Sequence, residues 1–151
     1  MSSTERLLRV RLEQAAVHVT PAIGATSVGI DVVEVARLAR AVERWGARLL
    51  ERTFTDDERR YCDGMAHPLC HLAGRLAAKE AVFKALKMRW ERSFCWRMIE
   101  IGRDGGGGPV VLHIPEFLED PDAVLGIEVS ISHAGGFAVA IATCNSRRAA
   151  W

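Results

Sequence analysis

Three ionisable side chains interrupt apolar segments of the sequence, and each is of a type that can do chemistry. Asp31 lies within the β-branched run VGIDVV, Glu80 within the pattern LAGRLAAKEAVFKAL, and His133 at the end of VSISH. At helical spacing, Glu80 falls on the same apolar face as Leu76 and Phe83. A buried carboxylate is costly unless it is paired or binds a cation. We therefore predict that the three groups form one polar site.

Asp31 and Glu80 are the natural pair for a divalent cation. Two carboxylates on rigid elements can share one Mg²⁺, which keeps several waters and also takes phosphate oxygens. Lys84 follows Glu80 by four residues, the favourable order for an ion pair within a helix. Simpler alternatives remain open. Each carboxylate could pair with a nearby arginine, Lys84 could only neutralise Glu80 on a solvated face, and His133 could be a hydrogen-bonded core residue.

Two sets of basic side chains accompany these groups. Arg75 and Lys79 lie one turn apart on the flank of the same helix, where they either face solvent or hold an anion. The preceding helical segment carries a stripe of arginines opposite its apolar face, namely Arg37, Arg40, Arg44 and Arg48. A row of charges is usually a solvated face, but like charges this close repel one another. We favour binding to an acidic partner.

The elements that must position these residues alternate between helical and strand patterns. We predict strands at 28–33, 94–101, 109–114, 126–133 and 137–143, and helices at 34–50, 55–61, 68–87 and about 115–123. Thr55 and Glu58 form a capping-box pattern, and Pro68 suits a first helical turn. The run DGGGG at 104–108 predicts a mobile hairpin connection, because a phosphate cradle would need a following Lys-Ser/Thr and a helix. The order indicates a single α+β domain with a long central helix on a small, mostly antiparallel sheet.

Length and composition narrow the class of protein. A chain of 151 residues with 49% hydrophobic and 26% charged residues fits one globular domain. The net charge of +1, without interleaved aromatic and basic residues, argues against nucleic-acid binding. No apolar run suits a membrane span or signal peptide, and the four cysteines lack paired spacing, so we expect a cytoplasmic protein. A zinc site is not favoured, because its candidate ligands match no standard spacing: Cys62, His67, Cys70 and His71.

Three ordered motifs give the chain a family resemblance. GIDVVEV at 29–35, GRLAAKEAVFKAL at 74–86 and VSISHAGG at 129–136 together resemble the holo-acyl-carrier-protein synthases of the 4′-phosphopantetheinyl transferase superfamily. The resemblance covers about residues 28–143. It leaves 1–27 as an N-terminal extension, poorly ordered or loosely packed, and 144–151 as a C-terminal tail.

The resemblance implies a reaction and a set of roles. The family transfers 4′-phosphopantetheine from coenzyme A to a serine of an acyl carrier protein, with Mg²⁺, and leaves adenosine 3′,5′-bisphosphate. It serves fatty-acid or polyketide biosynthesis, and its members are usually homotrimers with active sites between subunits. By motif position the implied roles are metal binding for Asp31 and Glu80; catalysis for Glu80, Lys84 and His133; coenzyme binding for Arg75, Lys79, Lys84, Ser132 and His133; and carrier binding for Arg37, Arg40 and Arg44.

The sequence also departs from the family pattern. Leu86 leads into Lys87-Met88-Arg89-Trp90 where members commonly have a glycine-rich turn, so we expect side-chain cations of this segment to contact the coenzyme's phosphates. Ala134 follows His133 where some members carry an acidic residue. These departures motivate an alternative, a catalytically weakened homologue that only binds carrier protein.

Overall fold

The computed structural model describes residues 25–88, 90, 92–115 and 124–147. A strand, β1 (Ala25–Glu34), leads into three helices, α1 (Val35–Thr53), α2 (Asp56–Asp63) and α3 (Pro68–Ala85). A short 3₁₀ turn at Trp96–Met98 precedes the strands β2 (Glu100–Arg103), β3 (Pro109–His113), β4 (Val124–Ala134) and β5 (Phe137–Ser146). The α+β class and the single domain predicted from the sequence are confirmed.

The strands form two antiparallel sheets. The larger sheet has the order β1-β5-β4, and β2 and β3 pair in a second, two-stranded sheet. Asp31 is opposite Ala140 of β5, and Ala140 is opposite Ile131 of β4, so these positions form one row across the sheet. Because side chains alternate along a strand, Asp31 and His133 point to the same face of this sheet, the face on which α3 packs.

Helix α3 lies unusually close to the sheet because small side chains meet at the contact. Its buried alanines pack against Ala140, Ala142 and Cys144 of β5 in one core cluster. The helix is buried around most of its circumference rather than along one stripe, which corrects the predicted single apolar face. Glu80 and Leu76 are half-buried, so Glu80 lies at the edge of the core and not in its middle.

The capping box and the helix start at Pro68 are confirmed. The Thr55 hydroxyl accepts a hydrogen bond from the Glu58 amide, and the Glu58 carboxylate accepts one from the Thr55 amide. Pro68 occupies the first turn of α3. Residues 104–108 form the predicted hairpin connection, but as a hydrogen-bonded turn rather than a loose one, since Asp104 Oδ1 accepts from the amides of Gly106 and Gly108.

Several predicted boundaries were wrong. The strand predicted at 94–101 is mostly a loop and a 3₁₀ turn, and only its last two residues belong to β2. Residues 25–27 of the predicted extension and 144–146 of the predicted tail pair with each other in the sheet. Helix α1 extends to Thr53 and is kinked at Gly46, whose φ of 55° and ψ of −143° are not helical. The remainder of the predicted extension, most of the helix predicted at 115–123, and the end of the tail lie outside the described residues.

Within the described residues, no helix combines the length and the hydropathy needed to cross a membrane.

Candidate active site

Asp31 and Glu80 lie side by side between β1 and α3, with Lys84 one turn further along the helix. Lys84 Nζ donates to Asp31 Oδ1 at 2.6 Å and to the Ile30 carbonyl oxygen at 2.9 Å. The Asp31 side chain is 13% exposed and that of Lys84 is 51% exposed, so the pair lies at the protein surface with its carboxylate end partly enclosed. Lys84 therefore neutralises Asp31, and the predicted alternative of a simple Glu80–Lys84 pair is wrong.

The electrostatic environment of Glu80 disfavours its charged form. Burial raises the pKa of the Glu80 carboxyl, and the neighbouring negative charge and hydrogen bond of Asp31 raise it further. The positive charges of Lys84 and Arg37 oppose this rise in pKa. Two carboxylates held together in this way repel each other when both are ionised.

A cleft of about 600 Å³ opens in front of these groups. Asp31, Glu80 and Arg37 line it together with apolar side chains that include Leu76, Trp96 and Phe137. This mixture of charged and apolar side chains suits a substrate with a less polar part and an anionic part that a bound cation could hold against the carboxylates.

The residues present fit a Mg²⁺ ion. The adjacent carboxylates of Asp31 and Glu80 supply the oxygen ligands that this ion prefers, and a cation between them would relieve their repulsion. In the described part of the chain, no group of three or more His, Cys, Asp or Glu side chains is placed to hold a metal ion. A two-carboxylate site therefore suits an ion whose remaining ligands are waters and substrate oxygens rather than a fully protein-coordinated ion.

Among the described residues, Cys62, His67, Cys70 and His71 are not brought together as a group that could hold a metal ion. Burial raises the pKa of the Cys62 thiol to about 11, so this group is a neutral core side chain and not a ready metal ligand.

His133 lies in a different cavity, which corrects the prediction of a single site within one chain. This cavity of about 170 Å³ is lined mainly by basic and aromatic side chains, and we call it the basic pocket: Tyr61, His71, Arg75, Arg103 and His133. His133 Nε2 lies 2.9 Å from the Cys70 carbonyl oxygen, and the residue is exposed, so it is not a core histidine.

Helix α3 separates the basic pocket from the cleft. Glu80 lines the cleft and His71 lines the basic pocket, and at about 100° per residue these positions are on opposite sides of the helix. Strand β1 borders the cleft, whereas β2 and β4 border the basic pocket. One phosphate group cannot touch both sites of the same chain.

Lys79 was predicted to bind coenzyme or to face solvent, and both predictions are wrong. Its side chain is fully buried and pairs with the equally buried Glu58 carboxylate at 2.7 Å. Lys79 Nζ also donates to the carbonyl oxygens of Trp96 and Ile99, and Glu58 Oε1 accepts from the Ile101 amide. The pair therefore joins α2, α3 and the start of β2 inside the core.

The stripe arginines are all exposed, as their spacing predicted. Arg40 forms a 3.7 Å ion pair with Glu34, and the Arg44 guanidinium stacks over the Trp45 ring at 5.0 Å. The kink at Gly46 lies between Arg44 and Arg48, so the stripe does not continue on one straight helix. Arg37 belongs to the stripe and also lines the cleft beside Glu80.

Two further predicted regions are placed by the structure. Ser132 lies on β4 with its side chain on the opposite face of the sheet from His133, and it lines neither of these two cavities. In the segment that replaces the glycine-rich turn, Lys87 is exposed with a φ of 51°, while Trp90 packs in an aromatic cluster with Phe83, Phe94 and Trp96. Arg89 lies outside the described residues.

Two residues of the basic pocket, Tyr61 and Arg103, were not predicted as site residues. Arg103 is the last residue of the short strand β2, and its guanidinium reaches back 42 residues to donate to the Tyr61 hydroxyl at 2.9 Å. No local pattern marks such a long-range pair. His71 was considered only as a zinc ligand, whereas the structure turns it towards Tyr61 and His133.

The fold and the site thus define a class of small α+β proteins in which a strand carboxylate meets a helix carboxylate at a cleft and pairs with a lysine of the same helix. The model of the 4′-phosphopantetheinyl transferase superfamily matches residues 27–142. The chain is 39% identical over 119 residues to the holo-[acyl-carrier-protein] synthase of Protochlamydia amoebophila, covering 79% of this chain and 97% of that protein. It is 43% identical over 120 residues to the corresponding synthase of Moorella thermoacetica, covering 78% and 92% respectively.

A solved structure agrees with these relatives. The crystal structure of Helicobacter pylori holo-[acyl-carrier-protein] synthase in complex with coenzyme A superimposes with a TM-score of 0.68 at 29% identity, covering 78% of this chain and 98% of that one. The chain therefore belongs to the 4′-phosphopantetheinyl transferase superfamily. The resemblance and the enzyme class predicted from its three motifs are confirmed.

Proposed function

We propose that this protein transfers 4′-phosphopantetheine from coenzyme A to a serine of an apo acyl carrier protein. The products are the holo carrier and adenosine 3′,5′-bisphosphate. The main support for the proposal is the contact of Asp31 and Glu80 at the cleft, together with the ion pair between Asp31 and Lys84. This arrangement occurs in a chain whose relatives are named for the same reaction and whose structural relative was solved with coenzyme A.

Asp31 and Glu80 would hold Mg²⁺, which when bound offsets the negative charge of the coenzyme's diphosphate. Lys84 is half-exposed beside them and adds a point charge for the same phosphates. The serine oxygen forms a bond to the phosphorus next to pantetheine as the bond to adenosine 3′,5′-bisphosphate breaks. Glu80 is the group proposed to take the serine proton, because its carboxylate lies beside Asp31 at the cleft that would receive the serine.

We infer that the working enzyme is a homotrimer. Arg75 and His133 are proposed to bind coenzyme, yet in one chain they are separated by α3 from the Asp31–Glu80 cleft. A neighbouring subunit can supply the basic pocket to this cleft. The outer face of the larger sheet suits such an interface, because it exposes a row of apolar side chains, each more than 40% accessible: Val28, Ile30, Val32, Phe137 and Ile141. Ser132 lies on this same face.

Arg37, Arg40 and Arg44 are proposed to bind the carrier protein. All three are exposed on α1, and Arg37 borders the cleft that would receive the serine. An acidic helix of the carrier fits this surface by charge.

Intact-mass spectrometry of an apo carrier incubated with coenzyme A, Mg²⁺ and this protein tests the proposal. We expect the carrier to gain the mass of phosphopantetheine, with no gain when its acceptor serine is replaced by alanine or when Mg²⁺ is chelated. A protein that binds the carrier without changing its mass would instead be the weakened homologue, and the proposal would be rejected. Glu80→Gln is the matched control, because it removes the proposed ligand and base while preserving side-chain shape.

A further inference from the structure

The basic pocket carries more positive charge than the proposed roles of Arg75 and His133 account for. The guanidinium groups of Arg75 and Arg103 lie 4.1 Å and 5.1 Å from the centre of the Tyr61 ring. Arg103 is anchored by hydrogen bonds from Nε to the Gly107 carbonyl oxygen and from Nη1 to the Tyr61 hydroxyl. These contacts hold both arginines in place without neutralising them.

Acidic partners are missing from this pocket. Among the described residues, no carboxylate forms an ion pair with Arg75 or Arg103, and none lines the cavity. Arg75 is 6% exposed, and its Nε is buried without a hydrogen-bond partner in the described structure. A buried donor without a partner is costly, so an anion in the pocket would satisfy a group that the folded chain leaves unpaired.

Two imidazoles complete the pocket. The His71 and His133 rings lie 5.9 Å apart, and the edge of His71 meets Tyr61 at 6.0 Å. His133 lies directly against α3 because residue 74 is glycine: a Cβ there would approach His133 Nε2 to 2.8 Å. His133 uses Nε2 on the Cys70 carbonyl, whereas the His71 imidazole has no hydrogen bond to another described residue and can turn a ring nitrogen to a ligand.

We propose that His71 and Arg103 are phosphate ligands of this pocket beside Arg75 and His133, and that His71 acts as imidazolium, so that a phosphate monoester binds together with a proton. The proposal rests on the proposed function, since coenzyme A carries one such monoester and its product adenosine 3′,5′-bisphosphate carries two. It adds two ligands that lie outside the three family motifs, His71 and Arg103. It also adds a pH dependence to coenzyme binding.

The groups around His71 determine the direction in which coenzyme binding depends on pH. Burial lowers the pKa of His71, and the neighbouring positive charges lower it further. Cationic or titratable groups face it from every neighbouring element: Tyr61 on α2, His67 before α3, Arg75 on α3, Arg103 on β2 and His133 on β4. Free His71 is therefore mainly neutral near pH 7, and a phosphate dianion would raise its pKa. Binding then takes up a proton, and affinity falls as the pH rises.

Isothermal titration calorimetry with adenosine 3′,5′-bisphosphate tests the proposal in the full-length protein without Mg²⁺ or carrier. We expect proton uptake, measured from the dependence of the binding heat on buffer ionisation enthalpy, and about tenfold weaker binding at about pH 8 than at about pH 6.5. Adenosine 5′-monophosphate, whose single monoester sits at another position, tests which phosphate enters the pocket. An NMR titration of His71 in the unmodified protein should report a pKa that rises when the bisphosphate binds.

Two variants separate the ligands from a general charge effect. His71→Phe keeps an aromatic edge against Tyr61 and should abolish the proton uptake and flatten the pH dependence. Arg103→Gln should weaken the bisphosphate by about tenfold at both pH values, the effect of one lost charge-assisted hydrogen bond. His113→Gln is the matched control, because His113 is exposed on β3, does not line the pocket and has no effect on the pKa of His71, and it should bind as the unmodified protein does.

The outcomes also distinguish this inference from the proposed function. If the protein transfers phosphopantetheine but binds the bisphosphate independently of His71, the inference is wrong and the proposed transferase function stands. The same conclusion follows if the bisphosphate leaves the pKa of His71 unchanged. Proton-linked binding that needs His71 and Arg103 in a protein without transferase activity would support the pocket and reject the proposed reaction. Equal binding by the His71 and His113 variants would also reject the inference.

Discussion

Gly29 on β1 lies directly against the backbone of Ala81 on α3. A Cβ at residue 29 would overlap the Ala81 carbonyl oxygen and lie 2.7 Å from the Ala85 amide nitrogen. No other residue type permits this approach of strand and helix, and Asp31 is the next residue on the same face of β1. The contact between Gly29 and Ala81 is therefore what brings the Asp31 and Glu80 carboxylates together.

Gly29→Ala should destabilise the protein and weaken the site together. We expect the free energy of unfolding to fall by about 2 kcal/mol, because the added methyl meets backbone atoms that can move only with the helix. Urea unfolding measures this loss. Gly126→Ala on β4 is the matched control, since a Cβ there has no atom within 4 Å, and it should change stability by no more than about 0.5 kcal/mol. Equal effects of the two substitutions would refute the close approach.

Asp31→Asn and Glu80→Gln should each reduce transfer by about a hundredfold or more without unfolding the protein. The two carboxylates repel each other, so removing one charge should leave the melting temperature unchanged or raise it in the absence of metal. Mg²⁺ should raise the melting temperature of the unmodified protein but not of either variant. Loss of the fold in both variants, with no Mg²⁺ effect on the unmodified protein, would show that the site is wrongly assigned.

The raised pKa of Glu80 predicts a pH dependence of stability in metal-free protein. Its pKa in the folded state lies above the ordinary value of 4.5, so the folded state binds more protons than the unfolded state within that interval. The contribution of Glu80 to the free energy of unfolding must therefore fall as the pH rises from the ordinary to the folded pKa. Denaturant unfolding of the unmodified protein and of Glu80→Gln at matched pH values measures it. A difference between them that does not change with pH would contradict the shift.

The residues that the sequence placed correctly are those whose signals are local. Asp31 and Glu80 stand out because each interrupts an apolar pattern, and Thr55 caps α2 within four residues. Lys79 has no such signal: helical spacing put it on a polar flank, but its partner Glu58 lies on a different helix and both are buried. The same reason hid Arg103, whose contact with Tyr61 arises only from tertiary packing.

The separation of the two cavities could not be predicted from periodicity either. Asp31 and His133 do point to one face of the sheet, as alternation requires. Which side of α3 each one reaches depends on how the helix crosses that face, and this is set by packing of small residues such as Gly29 and Gly74. Motif spacing does not predict which side of the helix each residue reaches.

Lys79 and Lys84 should give opposite results although they lie five residues apart on one helix. Lys79→Met should lower the free energy of unfolding by about 3–5 kcal/mol, because it leaves the Glu58 carboxylate buried without its partner. Lys84→Met should reduce transfer while the half-exposed site keeps its fold. Chemical unfolding and steady-state kinetics measure the two effects. Adding Glu58→Gln to Lys79→Met should recover part of the lost stability, and strict additivity would argue against a coupled pair.

Arg44 offers the cleanest test of carrier docking. It is exposed on α1 and, unlike Arg37, does not line the cleft, so changing it should leave the carboxylates undisturbed. Arg44→Glu should raise the Michaelis constant for the carrier about tenfold by placing like charge against an acidic helix, with the constant for coenzyme A unchanged. Added salt should weaken carrier recognition by the unmodified protein and have less effect on the variant, because it screens the same contact. Arg60→Glu makes the same charge change on α2 and serves as the control. If Arg44→Glu and Arg60→Glu have the same carrier kinetics, the stripe on α1 is only a solvated face.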